Sequence, residues 1–503
     1  MGLGHEAARI GKLPGNNDNG PGNLKRPDFH VQNVPADASL GVASTKRFPV
    51  GLQAKALPDF NTVMVVAQPA ACINQCMSGV TRSTLVARLS ERARLAPVAD
   101  GLAIAAAVSL PWSVTAASVA IALWLVVVLP TLHWADLRRS FTIPAGALPV
   151  LLFLLAIAGA TWSEAPPADQ FGSLKIFARL VIIAVLFAQF QHSERGLWVV
   201  GGFLASCTVL LVVSWLFWLF PSLAWRGRHP GVPVRDYIVQ SGEFLICVFA
   251  TGHLALDTWR HGQRSYALAL GLLALMFLAS ITYVASGRST LVALVVLVLL
   301  FVFQRFRWRQ ALGVVTLTAA IAALTWMSSS YLRTRVLNVI QEVHDYRTTN
   351  AATSSGYRLE FWARSVVFVS QAPIIGHGTG SLRDQFGRAA VGSEGIPAVT
   401  DNPHNQTLFV AIQLGGLGTM LLFAMWFAHL LLFRGDGLVA WLGTALVVQN
   451  IVAGLFNASL VEFTYSWMYI FGVGILGGMM LRVSRSGFRG PAAGSGMRHP
   501  LAD

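Results

Sequence analysis

Residues 197–220 read LWVVGGFLASCTVLLVVSWLFWLF, 24 consecutive residues without a charge. As a helix this stretch is about 36 Å long, enough to cross the ~30 Å hydrocarbon core of a bilayer. It is not alone. From residue 97 onward similar runs follow one another at roughly 98–112, 114–133, 145–162, 173–191, 197–220, 237–256, 265–285, 289–304, 309–327, 406–433, 438–456 and 462–481. The expected fold is therefore an all-α polytopic membrane protein of about twelve transmembrane helices. Composition agrees: the 503 residues are 54% hydrophobic and only 12% charged, about half the charge of a soluble domain.

The net charge of +14 does not point to nucleic acid, because the basic residues gather in short segments between apolar runs and in both tails. Alternate connections carry Arg138 and Arg139, Arg195, Arg260 and Arg264, Arg305, Arg307 and Arg309, then Arg434. That bias marks them, and both termini, as cytoplasmic. Residues 1–93 are rich in Gly, Pro, Asn and Asp without periodicity and read as a disordered leader, with Met64 or Met77 as possible true starts. The chain then divides into helices one to nine (94–327), a large periplasmic loop (328–404), helices ten to twelve (405–482) and a cytoplasmic tail (483–503).

The loop of 77 residues is too long for a simple turn. Leu332, Val336, Val339, Ile340 and Val343 recur at helical spacing, and a second helix is expected over 357–370; together they suggest an amphipathic cap on the outer membrane–water boundary.

The loop ends in DNPHNQTLFVAIQLGGLGT (401–419), which sets His404 and Asn405 at the outer edge of a span, nine residues before Gly415, Gly416 and Gly418. A histidine changes charge near neutral pH, so His404 suits a general base, with a loop histidine satisfied by water or backbone as the plainer alternative. Arg288, in YVASGRST, and Arg235, in VPVRDYIVQSGE, stand at the outer ends of spans. Arginine grips phosphate oxygens with a planar fork and stays charged, although such residues also serve as headgroup anchors. Arg226 and Arg228 could be confused with Arg235. In YRLEFWARSVVFVSQAPIIGHGTGS, Arg358, Trp362 and Arg364 precede Gly376 and Gly378. That glycine series either offers N–H groups to phosphate or sugar, or simply makes a turn.

Other chemistries find no motif. There is no Asp-x-Asp for a divalent metal, no G-x-x-x-x-G-K-[ST] for ATP, and no paired carboxylates of a glycoside hydrolase. Metal-independent chemistry without a cofactor is expected. The cysteines Cys72, Cys76, Cys207 and Cys247 show neither disulfide nor zinc spacing. Glu243 and Glu462 lie in or beside spans and could orient an arginine.

The His-Asn, nine residues, Gly-x-x-Gly-Thr pattern, with the topology, resembles the O-antigen ligase family, which groups with O-antigen polymerases and protein O-oligosaccharyltransferases. The resemblance covers about 97–482 and implies a fold similar to GT-C-type glycosyltransferases in the bacterial inner membrane. It implies transfer of a polysaccharide from undecaprenyl pyrophosphate to the lipid A core oligosaccharide, with His404 as base and Arg288 and Arg235 as catalytic arginines on the pyrophosphate. Arg358, Arg364, Asn405, Gly376, Gly378 and Trp362 become substrate-binding candidates. A sister transferase with a different acceptor, or a transporter for lipid-linked sugars, would fit the same pattern less closely; a transporter calls for charges along the midplane and duplicated broken helices.

Overall fold

A backbone in hydrocarbon must satisfy its own polar groups, and long apolar segments do so as helices. The computed structural model describes residues 92, 94–224, 230–234, 236–391 and 399–488, the side chains of 483–488 excepted. Arg226, Arg228 and Arg235, nearly all of the leader and most of the tail lie outside the described residues.

The first helices are α1 (94–109), α2 (Val114–Val128), α3 (Trp134–Thr142) and α4 (Pro144–Gly159). They are followed by α5 (Pro167–Ala178), α6 (Ile182–Phe190), α7 (Gly196–Leu219), α8 (Tyr237–Arg260), α9 (Arg264–Ala279), α10 (Arg288–Arg305) and α11 (Trp308–Ser328). Among the described residues nine helices are long and apolar enough to cross a membrane, or ten if the bent α3–α4 pair is one span. The third expected span is α4, and the connection before it forms the helix α3. Pro144 cannot donate a backbone hydrogen bond and disfavours the helical state at Ile143, so α3 and α4 meet at 81° instead of continuing.

The loop supplies α12 (Ser330–Thr349), α13 (Ser354–Gln371) and α14 (Leu382–Ala390), and the chain returns through α15 (Gln406–Leu432), α16 (Leu438–Gly454) and α17 (Phe463–Phe488). Short polar side chains start the elements at this end. Asp236 Oδ1 accepts from the N–H groups of Ile238 and Val239 at 2.8 and 3.0 Å, and Ser329, Thr353 and Asn405 each accept from a first-turn N–H of α12, α13 and α15. The most apolar window of Phe463–Arg482 is 78% buried within the protein, against 6% for Trp308–Ser328. The first is a central post; the second packs against little of the rest of the protein.

α15 is broken at Gly415, whose φ of 61° and ψ of −156° only glycine adopts readily. A break frees backbone groups that must be paired elsewhere. Residues 373–378 supply the partners: Gly416 N–H donates to Pro373 O at 2.8 Å, Leu417 N–H to Ile374 O at 3.1 Å, His377 N–H to Ile412 O at 2.8 Å and Gly378 N–H to Gln413 O at 2.9 Å. The buried Gln413 side chain then takes Gly380 N–H at 2.7 Å. The break lies about 13 Å along α15 from its first residue, so this part of the loop does not rest on a surface. It lies against α15, with Gly376 and Gly378 buried and Ile374 and Ile375 exposed.

Candidate active site

The 401–405 turn precedes α15. His404 has φ 53°, in the left-handed region that costs a non-glycine residue about 1–3 kcal/mol. The turn is held against that strain because His404 N–H donates to Asn402 Oδ1 at 2.8 Å and Trp362 Nε1 donates to the His404 carbonyl at 3.4 Å. Phe361 lies nearly parallel to the imidazole, at 21° and 6.1 Å between centroids.

The imidazole has a defined tautomer. Its Nδ1 lies 3.1 Å from Asn457 Oδ1 in the turn between α16 and α17. Ala458 N–H donates to the same atom at 3.0 Å, which identifies it as the oxygen. Nδ1 must therefore donate, and Nε2 keeps its lone pair. Burial first, and then the positive charge of Arg358, hold the imidazole pKa below its ordinary value, opposed by the Asn457 bond and by Asp401. At neutral pH His404 is an uncharged base.

Asn457 and Trp362, two of the residues bonded to His404, also line a pocket of about 590 Å³. Arg288, Arg335 and Arg358 line it, together with the apolar Leu291, Val292, Val336, Val339, Ile340 and Val343. Four members of the loop stripe read from the sequence thus face this cavity. Arg288 is clamped bidentately by Glu342 from α12, with Nη2 to Oε1 at 2.6 Å and Nη1 to Oε2 at 2.8 Å, and also donates to Ser355 Oγ at 3.1 Å. Glu342 takes two more bonds, from Ser355 N–H at 3.0 Å and Ser355 Oγ at 2.6 Å. The Arg288 pairing, chiefly, and the Ser355 bonds bring its pKa down to about 2. Arg358 donates from Nη1 to Ser354 Oγ at 3.2 Å, while its Nε is buried with no hydrogen-bond partner among the described residues. Burial, then the Arg288 charge, press its pKa below the usual arginine value.

The other expected residues are placed differently. Arg364 donates to Glu360 at 2.6 Å and to Ala389 O at 3.2 Å, tying α13 to the end of α14 outside the pocket. Asn405 caps α15 and donates to Leu455 O at 3.1 Å, and Gln406 Oε1 accepts from Leu460 N–H at 2.9 Å; these bonds pin the turn that presents Asn457. The glycine series fits the turn, the second of its two readings. Gly376 N–H donates to Ala372 O, Gly378 N–H to Gln413 O and Gly380 N–H to Gln413 Oε1, so the groups offered to phosphate or sugar already donate inside the protein. Their positive φ values, 71°, 90° and 85°, serve close backbone packing.

Residues 272–423 match the family model described as O-antigen ligase. That segment, under a third of the chain, is similar to the O-antigen ligase family. No curated protein matches the chain. The matched span holds Arg288, Glu342, Arg358, Trp362 and His404, whereas Asn457 and Tyr237, which complete the site, lie beyond it. Glu342, Ser355, Arg335, Tyr237 and Asn457 escaped the sequence reading. Arg335 Cζ lies 4.5 Å from the Tyr237 ring centroid, a cation–π pairing across about a hundred residues of chain that no local motif announces. The family is one of membrane glycosyltransferase-like enzymes acting in lipopolysaccharide biosynthesis, and the many apolar helices make this chain a multi-pass membrane protein.

Proposed function

We propose that the protein is an O-antigen ligase of the bacterial inner membrane, moving a finished polysaccharide from undecaprenyl pyrophosphate to a hydroxyl of the lipid A core oligosaccharide at the periplasmic face. One observation supports the reading: a neutral histidine whose Nε2 keeps its lone pair shares Asn457 and Trp362 with a pocket lined by three arginines and by apolar side chains. A lipid pyrophosphate has that polarity. Its phosphates meet Arg288 and Arg358, with Arg235 as a further candidate, and its prenyl chain runs along the Val336–Val343 stripe.

In this scheme the acceptor oxygen attacks the anomeric carbon of the donor as the bond from that carbon to the pyrophosphate oxygen breaks. His404 Nε2 takes the hydroxyl proton, and the pyrophosphate leaves with the bonding electron pair. Negative charge grows on the leaving group during this step, so fixed guanidinium groups stabilise the transition state more than the ground state. Direct displacement inverts the anomeric configuration, and the scheme requires neither metal nor nucleotide.

The test mixes the purified protein with lipid-linked polysaccharide and rough lipopolysaccharide. Transfer of the polysaccharide ladder to lipopolysaccharide, lost in His404→Ala, is the expected result. Lengthening of the donor without transfer would overturn the ligase reading in favour of a polymerase.

A further inference from the structure

A second cavity of about 550 Å³ lies where the end of α13, the start of α14 and the turn after α4 come together. Its volume is in the range of small-molecule sites and far exceeds a single water. Trp162, Glu164, Gln371, Ser381, Asp384 and Arg388 line it. Two buried polar atoms in this wall, Trp162 Nε1 and Ser381 Oγ, have no hydrogen-bond partner among the described residues, and Ser381 is only 2% exposed. An unpaired buried donor costs about 1–3 kcal/mol, which a polar ligand removes.

The charges decide which ligand. Arg388 already donates to Glu164 at 2.9 Å and is paired with Asp384 at 2.7 Å. Two carboxylates around one guanidinium leave a net negative rim, so phosphate is disfavoured. Hydroxyl groups suit it: they donate to the carboxylates and accept from Trp162 and Ser381. The position fits a chain of sugars. Trp362 lines the arginine pocket and Gln371 this one, about 13 Å further along α13. Phe368, in the cavity wall, packs on Phe386, which packs on Phe361, the ring beside His404.

We propose that this cavity is a carbohydrate subsite for neutral sugar units of the glycan being joined, which rests on the glycan-transfer reading above. The sugars could belong to the acceptor core or to the donor polysaccharide.

The experiment uses the full chain in nanodiscs and two probes: core oligosaccharide freed of lipid A and dephosphorylated, and polysaccharide released by mild acid. Saturation-transfer NMR measures binding to the wild type and to the Trp162→Phe/Ser381→Ala double variant, with thermal unfolding as the control for folding. We expect one probe to bind the wild type and to bind the folded double variant about fivefold or more weakly, as loss of two hydrogen bonds predicts. The KM of the corresponding substrate should rise by a similar factor, with kcat within about twofold, the pattern of binding lost equally from ground and transition states. Binding of the core probe names the acceptor; binding of the polysaccharide names the donor. Failure of both probes to bind the wild type, or equal binding by the double variant, overturns the subsite. Glycan binding without any transfer activity would leave the subsite standing and sink the ligase reading instead. An unfolded double variant is replaced by Asp384→Asn, for which the same weakening is expected and unchanged binding overturns the proposal.

Discussion

Glu342 engages both terminal nitrogens of Arg288, at 2.6 and 2.8 Å, and the same carboxylate takes the first turn of α13 through Ser355. One side chain on α12 therefore fixes both the proposed phosphate-binding arginine at the head of α10 and the helix that carries Arg358 and Trp362.

Removing that carboxylate should loosen α12 from α13. Glu342→Ala is expected to cost about 1–3 kcal/mol, the range for losing charge-assisted bonds at a half-buried site. Thermal unfolding in detergent measures it, and hydrogen exchange should rise in 330–371 before the spans respond. A Glu342→Ala protein as stable as the wild type would show that the clamp contributes nothing.

The same group sets an acid limit. Its folded pKa of about 2 lies below the ordinary carboxylate value. A depressed carboxyl gives stability that is fully present above the unfolded pKa, near 4.3, and is lost as pH falls through the folded value. Exchange protection of α12 and α13 should therefore decay between about pH 4 and 2, and Glu342→Gln should flatten that decay.

For His404, the reactive form is the neutral imidazole. Its lowered pKa puts the acid limb of kcat/KM below about pH 6.5, with a plateau above. Asn457→Asp places a carboxylate against Nδ1, favours the imidazolium and moves that limb to higher pH. His404→Ala should reduce kcat by about 10²–10⁴. A pH–rate profile unmoved in Asn457→Asp would rule out the Nδ1 pairing as the control on the base.

The two loop arginines should separate in behaviour. Arg358→Ala is expected to lower kcat/KM for the lipid-linked donor by one to two orders of magnitude, about 1.4–2.8 kcal/mol, with little change in stability. Arg364→Ala should lower the unfolding temperature while leaving the donor KM within about twofold, since its bonds go to Glu360 and Ala389. Kinetics and thermal scans on both proteins check the contrast.

Gly415→Ala meets two obstacles, a positive φ and the backbone of Ile374 where a Cβ would stand. It should destabilise the protein by about 1–3 kcal/mol or more. Gly387→Ala, with open space around its Cβ, is the tolerated control.

Much of the bundle was legible because its signal is local: each expected apolar stretch coincides with a helix, and the loop stripe at helical spacing falls within α12. The polar connection WADLRRSFTIP was legible as a break between spans, but that its first part forms a helix bent 81° from α4 was not. His404 could be found from its neighbours at a helix start. Asn457 could not, since its pairing with His404 spans 53 positions and depends on how the α16–α17 turn meets α15. The two readings of the glycine series stayed open for a related reason. Glycines in a turn look alike whether their N–H groups face a ligand or a broken helix, and only tertiary packing distinguishes the two.

The four backbone bonds between residues 373–378 and the break in α15 carry a lesson for modular engineering. A loop domain excised at 328–404 would leave donors and acceptors stranded on both sides of the cut. The transplantable piece between relatives is instead the loop together with the first half of α15, and chimeras joined at the loop's own ends should assemble poorly even where the two parent sequences are each sound.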